Sequence, residues 1–335
     1  MEGGFDDLES NATFPLWVLP SIMDPGLPMN SETAGTFSSP PPLPPWLLEQ
    51  LPFERRVFSD GEHSIHFVDE GRGPTVLLLH GNPTWCYLWR KVIPILSPHV
   101  RVVAPDLVGL GLNSKPRDSA IHTLSFHADR ISALIRALDL GNLTIVGQGW
   151  GGPIVALAAA RNRARVKGAV FANTALSAPT RPPRVTRFHR FSHKPVVSEV
   201  AFKVFRFPIS TLHKVQGDPS SIGAKEKRAC RFPFAAFSDR VAPLALAGLV
   251  PIRVEDPTIQ TLHEVENWAE EFKGPAQLVW GIRDPILGRP LGSVKKLFPD
   301  APVVETEAGH FLQEEVPEEL AGAILEVVGH VGKKV

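Results

Sequence analysis

The rhythm of hydrophobic and polar positions changes twice along the chain. Through residue 45 there is no period: apolar residues stand among Pro, Ser and Gly, and the stretch ends in Pro40-Pro41-Pro42-Leu43-Pro44-Pro45. Such a composition buries little surface and favours extended backbone, so residues 1–45 are expected to form a disordered Pro-rich tail. From about residue 53 the pattern tightens. Arg55–Ser59 and 64–68 predict two strands joined across Asp60-Gly61, a hairpin signal. Thr75–Leu79 is a continuous apolar run, as in a parallel strand buried on both faces. Further strands are expected at 100–104, 143–146, 166–173, 277–280 and 302–305. Helices are expected at 124–138, from a Gly-rich turn to about 161, and at 318–331. This alternation predicts an α/β fold with a mostly parallel, doubly wound sheet.

The alternation breaks between 177 and 267, where Phe, Pro, Arg and His are frequent and helical segments are short. That stretch is expected to be a helical cap inserted into a core formed by 46–176 and 268–335. Its Arg181, Arg184, Arg187, Arg190 and Lys194 read as a solvated face. Phe232-Pro233-Phe234 reads as pocket lining.

Composition narrows the function. Lys plus Arg and Asp plus Glu both number 35, so nothing draws the chain toward nucleic acid or an anionic membrane. The N-terminus is acidic and lacks the basic start of a secretory signal, and no apolar run approaches the roughly 20 residues of a membrane span. Two cysteines, Cys86 and Cys230, argue against a disulfide framework and suit a reducing, cytoplasmic setting. No His spacing suggests a metal site, and no cofactor is expected.

The candidate chemistry sits in loops that follow parallel strands, at the sheet edge where open α/β proteins bind ligands. His80-Gly81-Asn82-Pro83 follows the first parallel strand. Gly147-Gln148-Gly149-Trp150-Gly151 lies between strand and helix and has the small-x-nucleophile-x-small form of a nucleophile elbow, with Gly149 at the nucleophile's place. Asp284 follows a later strand and His310 the last, in the order nucleophile position, acid, base. Gly147, Gly149 and Gly152 also spell a dinucleotide-binding pattern. Against it, no Asp or Glu occurs between Asp139 and Glu199 to hold a ribose.

Three segments carry a family resemblance: His80-Gly-Asn-Pro-Thr-Trp-Cys-Tyr-Leu-Trp89, Ala104-Pro-Asp-Leu-Val-Gly-Leu-Gly111 and Val279-Trp-Gly-Ile-Arg-Asp-Pro-Ile-Leu-Gly288. They resemble the haloalkane dehalogenases of the α/β-hydrolase fold, over most of the chain from about Pro44 onward. The resemblance implies cleavage of small apolar haloalkanes by water to alcohol and halide, without a cofactor. It implies Asp at the place of Gly149, Asp284 as acid, His310 as base, and the Asn82 amide and Trp150 indole as halide ligands. It further implies that the backbone N–H groups of Asn82 and Trp150 hold the oxyanion, and that Asp106 is structural. Asn173 stands where another subfamily carries the acid, which favours Asp284. Epoxide hydrolases share the scaffold but use two cap tyrosines, whereas the one tyrosine here, Tyr87, lies outside the cap.

Gly149 departs from the family. Glycine has no side chain and cannot attack carbon. Gln148 is neutral and, on a sharp turn, is expected to point elsewhere. Two expectations follow: a dehalogenase-like pocket impaired by the missing carboxylate, or a non-catalytic small-molecule-binding homologue. The elbow favours positive φ, so Gly149→Asp is expected to create the nucleophile at some loss of stability.

Overall fold

The computed structural model describes residues 35–180 and 186–333. Nine strands form one sheet in the order β1-β2-β3-β5-β4-β6-β7-β8-β9. They are β1 (Thr36–Ser38), β2 (Arg55–Ser59), β3 (Ser64–Glu70), β4 (Thr75–Leu79), β5 (Arg101–Pro105), β6 (Leu143–Gln148), β7 (Val166–Ala172), β8 (Ala276–Gly281) and β9 (Val303–Thr306). The first three strands and the β3–β5 pair are antiparallel; every other pairing is parallel. Residues of β4 and β6 are buried throughout, because helices cover both faces of the sheet.

The winding reverses between β4 and β6. From β4 the chain crosses to β5 on one side and then returns to β6 on the other. Connections leave in opposite directions there, opening a crevice beyond the carboxyl ends of those strands. Leu79 of β4 pairs with Gly147 of β6, so the loop holding Asn82 and the turn holding Gly149 emerge side by side.

Six helices matter for the site: α1 (Leu124–Ala137), α2 (Gly151–Arg161), α3 (Arg187–Ser192), α4 (Val241–Gly248), α5 (Thr258–Glu271) and α6 (Pro317–Gly332). Thr123 caps α1, its hydroxyl accepting from the Phe126 N–H at 3.0 Å. Residues Gly151 to Ala159 of α2 are all buried, which fits its Ala-rich, apolar sequence and its place between the sheet and helices α1 and α5. Among the described residues no helix is long and apolar enough to cross a membrane.

Two expected boundaries move. Thr36–Ser38, inside the stretch expected to be tail, pairs with β2 as an edge strand. Phe37 packs on Phe58 with ring centroids 5.5 Å apart, and the Arg56 guanidinium lies 4.6 Å from the Phe37 ring. Residues 1–34 of the expected tail lie outside the described residues. At the other junction, α5 already belongs to the core: it packs on α2, and Trp268 meets Phe171 of β7 edge to face at 6.4 Å. Residues 258–267, expected as the end of the cap, are thus part of a helix that packs on α2. Arg187, Arg190 and Lys194 are exposed, as expected of a solvated face; Arg181 and Arg184 lie outside the described residues. Phe232 packs against Trp46 at 5.9 Å, so its ring is spent on a contact with the segment before β2.

Candidate active site

The turn after β6 is built by close backbone approach. A Cβ on Gly151 would stand 2.2 Å from the Leu79 carbonyl oxygen, and one on Gly147 would stand 2.6 Å from Gly152 Cα. Side chains at either position would push α2 off strands β4 and β6. Gly149 itself has φ +55°, a conformation an L side chain adopts only with strain. Its carbonyl accepts from the Thr174 hydroxyl at 2.7 Å, and its N–H donates to the Asn173 carbonyl at 3.1 Å. Space is not the constraint at Gly149. A Cβ there would meet Gly81 Cα at 3.5 Å and His310 Nε2 at 4.0 Å, both ordinary contacts. A side chain at 149 would thus start out facing the imidazole.

Asp284 and His310 come together although 26 residues separate them: His310 Nδ1 lies 2.8 Å from Asp284 Oδ2. Both residues are buried. Asp284 Oδ2 also accepts from Asn173 Nδ2 at 2.7 Å, and Oδ1 accepts from the Ile286 N–H at 2.7 Å. Burial alone would push this carboxyl up, but the facing His310 and the hydrogen bonds from His310, Asn173 and Ile286 hold it below the usual carboxylate range. Asn173 is fixed in turn by the Gly281 N–H, which donates to Oδ1 at 2.7 Å. The residue at the alternative acid position therefore orients the acid at 284.

Gln148 does not point elsewhere. Its Nε2 donates to the His310 carbonyl at 3.0 Å and lies 3.4 Å from His310 Nε2. As the last residue of β6 it projects to the side where the loop after β9 passes, and so braces that loop.

Asn82 and Trp150 also converge, but their donors are occupied. Asn82 Nδ2 donates to the Pro243 carbonyl at 2.9 Å, and Trp150 Nε1 donates to the Leu246 carbonyl at 2.8 Å. Both acceptors lie on α4, three residues apart and so on neighbouring positions of one helix face. A Cβ on Gly109 would stand 2.5 Å from Ala242 Cβ, which shows how closely α4 is seated. The backbone N–H groups of Asn82 and Trp150 make no hydrogen bond among the described residues. Sequence reasoning also missed His189 on α3. It is buried, and burial followed by the nearby His310 and His193 pushes it down to about 4. Its signal was available: Arg187 and Arg190 face solvent on one side of α3, which leaves His189 inward.

Asp106 is a buried node. Its carboxylate takes His66 Nδ1 at 2.9 Å and the N–H groups of Cys86 and Leu112 at 2.7 and 2.9 Å. His66, Cys86 and Asp106 are the one group among the described residues close enough to share a metal ion. The donor set does not suit one: peptide N–H groups already fill both Asp106 oxygens, and burial and then Asp106 push the Cys86 thiol well above its ordinary value. Two surface clefts lie at the amino ends of β7 and β8, remote from Gly149; the larger of the two, about 610 Å³, includes Lys273, Gln277 and Asp300.

A strand, a positive-φ turn and a buried helix, with an acid and a histidine meeting after later strands, define an α/β hydrolase. A family profile described as alpha/beta hydrolase fold matches residues 74–217. Haloalkane dehalogenase 2 of Mycobacterium tuberculosis is 35% identical over 287 residues, covering 83% of this chain and 96% of that protein. The chain belongs to the haloalkane dehalogenase family. A cis-3-alkyl-4-alkyloxetan-2-one decarboxylase of Shewanella oneidensis is 30% identical over 278 residues, 81% of this chain and 86% of the relative. The crystal structure of haloalkane dehalogenase DatA from Agrobacterium tumefaciens superposes with a TM-score of 0.75 at 26% identity, covering 83% of this chain and 97% of that one.

Proposed function

We propose that this chain is a dehalogenase scaffold whose turnover of small haloalkanes is impaired because Gly149 stands where the nucleophilic carboxylate belongs. The observation that carries this reading is the setting of Gly149. A side chain there would begin 4.0 Å from His310 Nε2, and His310 is held by Asp284 at 2.8 Å. On this reading the acid and base stand in place, and the group lacking beside them is the carboxylate.

The chemistry explains why that one group matters. An alkyl halide offers no carbonyl, so a nucleophile must attack carbon and expel halide. A carboxylate leaves an ester that water can cleave, whereas a hydroxyl would leave a stable ether. His310 then takes the proton of the attacking water, and Asp284 orients the ring and stabilises its positive charge. The N–H groups of Asn82 and Trp150 receive the oxyanion, and the Asn82 amide and Trp150 indole receive the halide once α4 has drawn back. Removing the nucleophile of a catalytic triad lowers kcat by about 10⁶-fold. Substrate, halide and water are the partners this reading requires, with the segment from 177 serving as the cap.

A second reading, a binding protein without turnover, is favoured by the seating of α4. Its carbonyls accept from Asn82 Nδ2 and Trp150 Nε1, so both of these donors are taken without a halide. Bromide release from a panel of short bromoalkanes separates the two. The first reading expects release by Gly149→Asp far above that of the unaltered chain. Bromoalkane binding by both proteins without release by either would favour the second.

A further inference from the structure

The chain as a whole carries as many acidic as basic residues, but the inserted segment does not share them evenly. Between 187 and 206 stand Arg187, Arg190, Lys194, Lys203 and Arg206 against a single acid, Glu199, and that acid is bound by Lys203 at 2.9 Å. Arg187, Arg190, Lys194 and Arg206 enter no ion pair among the described residues. Asp239, on the neighbouring turn, accepts from the Ala236 N–H at 2.7 Å. Among these cations lies an apolar surface open to solvent. Helical residues 197–204 turn Ser198 and Phe202 inward, where Phe202 meets Phe188 with ring centroids 6.2 Å apart. The outward positions are apolar as well. Val197, Val200 and Val204, at i, i+3 and i+7, are exposed, and Val196 and Phe205 at the two ends are each 70% exposed. Phe237 stands exposed beside them, its ring centroid 5.9 Å from Lys203 Nζ. Large apolar side chains gathered in this way on a surface mark a contact face.

We infer that this face docks on an anionic lipid bilayer, its valines and phenylalanines entering the headgroup region and its four unpaired cations meeting lipid phosphates and carboxylates. At about 1.5 Å per residue the helical segment is about 12 Å long, too short to cross a hydrocarbon core of about 30 Å, so it lies in the plane of the surface. Charge decides the partner. A second copy seated on the same face by a two-fold axis would set the four cations against themselves. A polyanion without an apolar part, such as nucleic acid, would leave Val197, Val200, Val204 and Phe205 in water. An anionic bilayer satisfies both halves: the apolar area enters the acyl boundary, and each cation near the surface strengthens binding by about fivefold. The zero net charge, which argued against a membrane, is the sum of unlike regions. Residues 197–204 and α3 both pack on α4, so the docked face is the outside of the wall whose carbonyls take Asn82 and Trp150.

The test is co-sedimentation of the full chain with vesicles of equal parts phosphatidylserine and phosphatidylcholine, against vesicles of phosphatidylcholine alone. The expected result is partition stronger by about tenfold or more onto the anionic vesicles, weakening as sodium chloride is raised and the charges are screened. Val204→Ser with Phe205→Ser lowers that partition by about tenfold or more, since both side chains leave the lipid. Arg190→Glu with Lys194→Glu lowers it by about twentyfold or more. All four side chains are exposed, so none of these changes removes a core contact. Should a variant still fail to fold, hydrogen exchange of the unaltered chain decides: anionic vesicles should slow amide exchange in 196–205 and leave β6 unchanged. Equal partition onto both vesicle types, partition onto neither, undiminished partition of the folded variants, or protection confined to other segments overturns the inference. A dimer in analytical ultracentrifugation that Phe205→Ser dissociates also overturns it and assigns the face to a second copy.

Discussion

The two walls of the crevice are held by different means. On the sheet side, Asp284 receives three hydrogen bonds and Asn173, Gln148 and Thr174 lock the surrounding loops, so the acid–base pair is set before any ligand arrives. On the inserted side, α4 is held by spending two backbone carbonyls on Asn82 and Trp150, the side chains expected to meet a halide. A wall fixed by its own strands keeps its geometry whether or not the reaction runs. A wall fixed by borrowing the ligand's donors must move for a ligand to enter. Glycine at 149 leaves the first wall intact, while in the second the donors of Asn82 and Trp150 are taken by α4.

The largest effect expected from this contrast is chemical. Gly149→Asp should raise bromide release by up to about 10⁶-fold, and steady-state kinetics with a short bromoalkane checks it. Next comes stability on the sheet side. Gly151→Ala drives a methyl group to 2.2 Å from the Leu79 oxygen, and urea unfolding should show a loss of about 3 kcal/mol.

A pH effect on the helical side is of similar size. Burial, then His63, pushes His122 down to about 4; burial, then His310 and His193, does the same to His189, each from 6.5. The unfolded chain accepts these protons near 6.5 and the folded chain refuses them until about 4. Their stabilisation is therefore complete above 6.5 and lost as pH falls from there toward about 4. The slope is at most about 1.4 kcal/mol per pH unit for each histidine. Unfolding free energies measured across that window should flatten by one histidine's share in His189→Gln. The smallest effect is Trp150→Phe, which removes the indole donor to Leu246. It should lower stability by about 1 kcal/mol and raise amide exchange in 241–248 more than in β6.

The same contrast explains what could be read from the sequence. β4, β6 and β7 announce themselves as apolar runs because both faces are covered, and the Gly-rich turn after β6 fits only a tight strand-to-helix return. Asp284 and His310 were legible because they follow strands in the order an α/β hydrolase requires. The occupied donors were not: Val-Ala-Pro-Leu-Ala-Leu-Ala-Gly at 241–248 is apolar all round, so it carries no facing direction, and a backbone carbonyl leaves no mark in a sequence. Thr36–Ser38 was hidden for a related reason. Three residues in a Pro/Ser-rich stretch become a strand only because β2 offers its free edge. Gln148 was misjudged because its direction depends on the loop after β9, far away in sequence.

The central claim is that the sheet-side wall is complete except for one carboxylate. Gly149→Asp combined with His310→Ala isolates that claim, since the introduced carboxylate can attack but the ester cannot be hydrolysed. Mass spectrometry of this double variant after exposure to a bromoalkane should find the protein heavier by one alkyl group, on the peptide containing position 149, with one equivalent of bromide released. An unmodified mass from a folded protein that still binds the bromoalkane would contradict it.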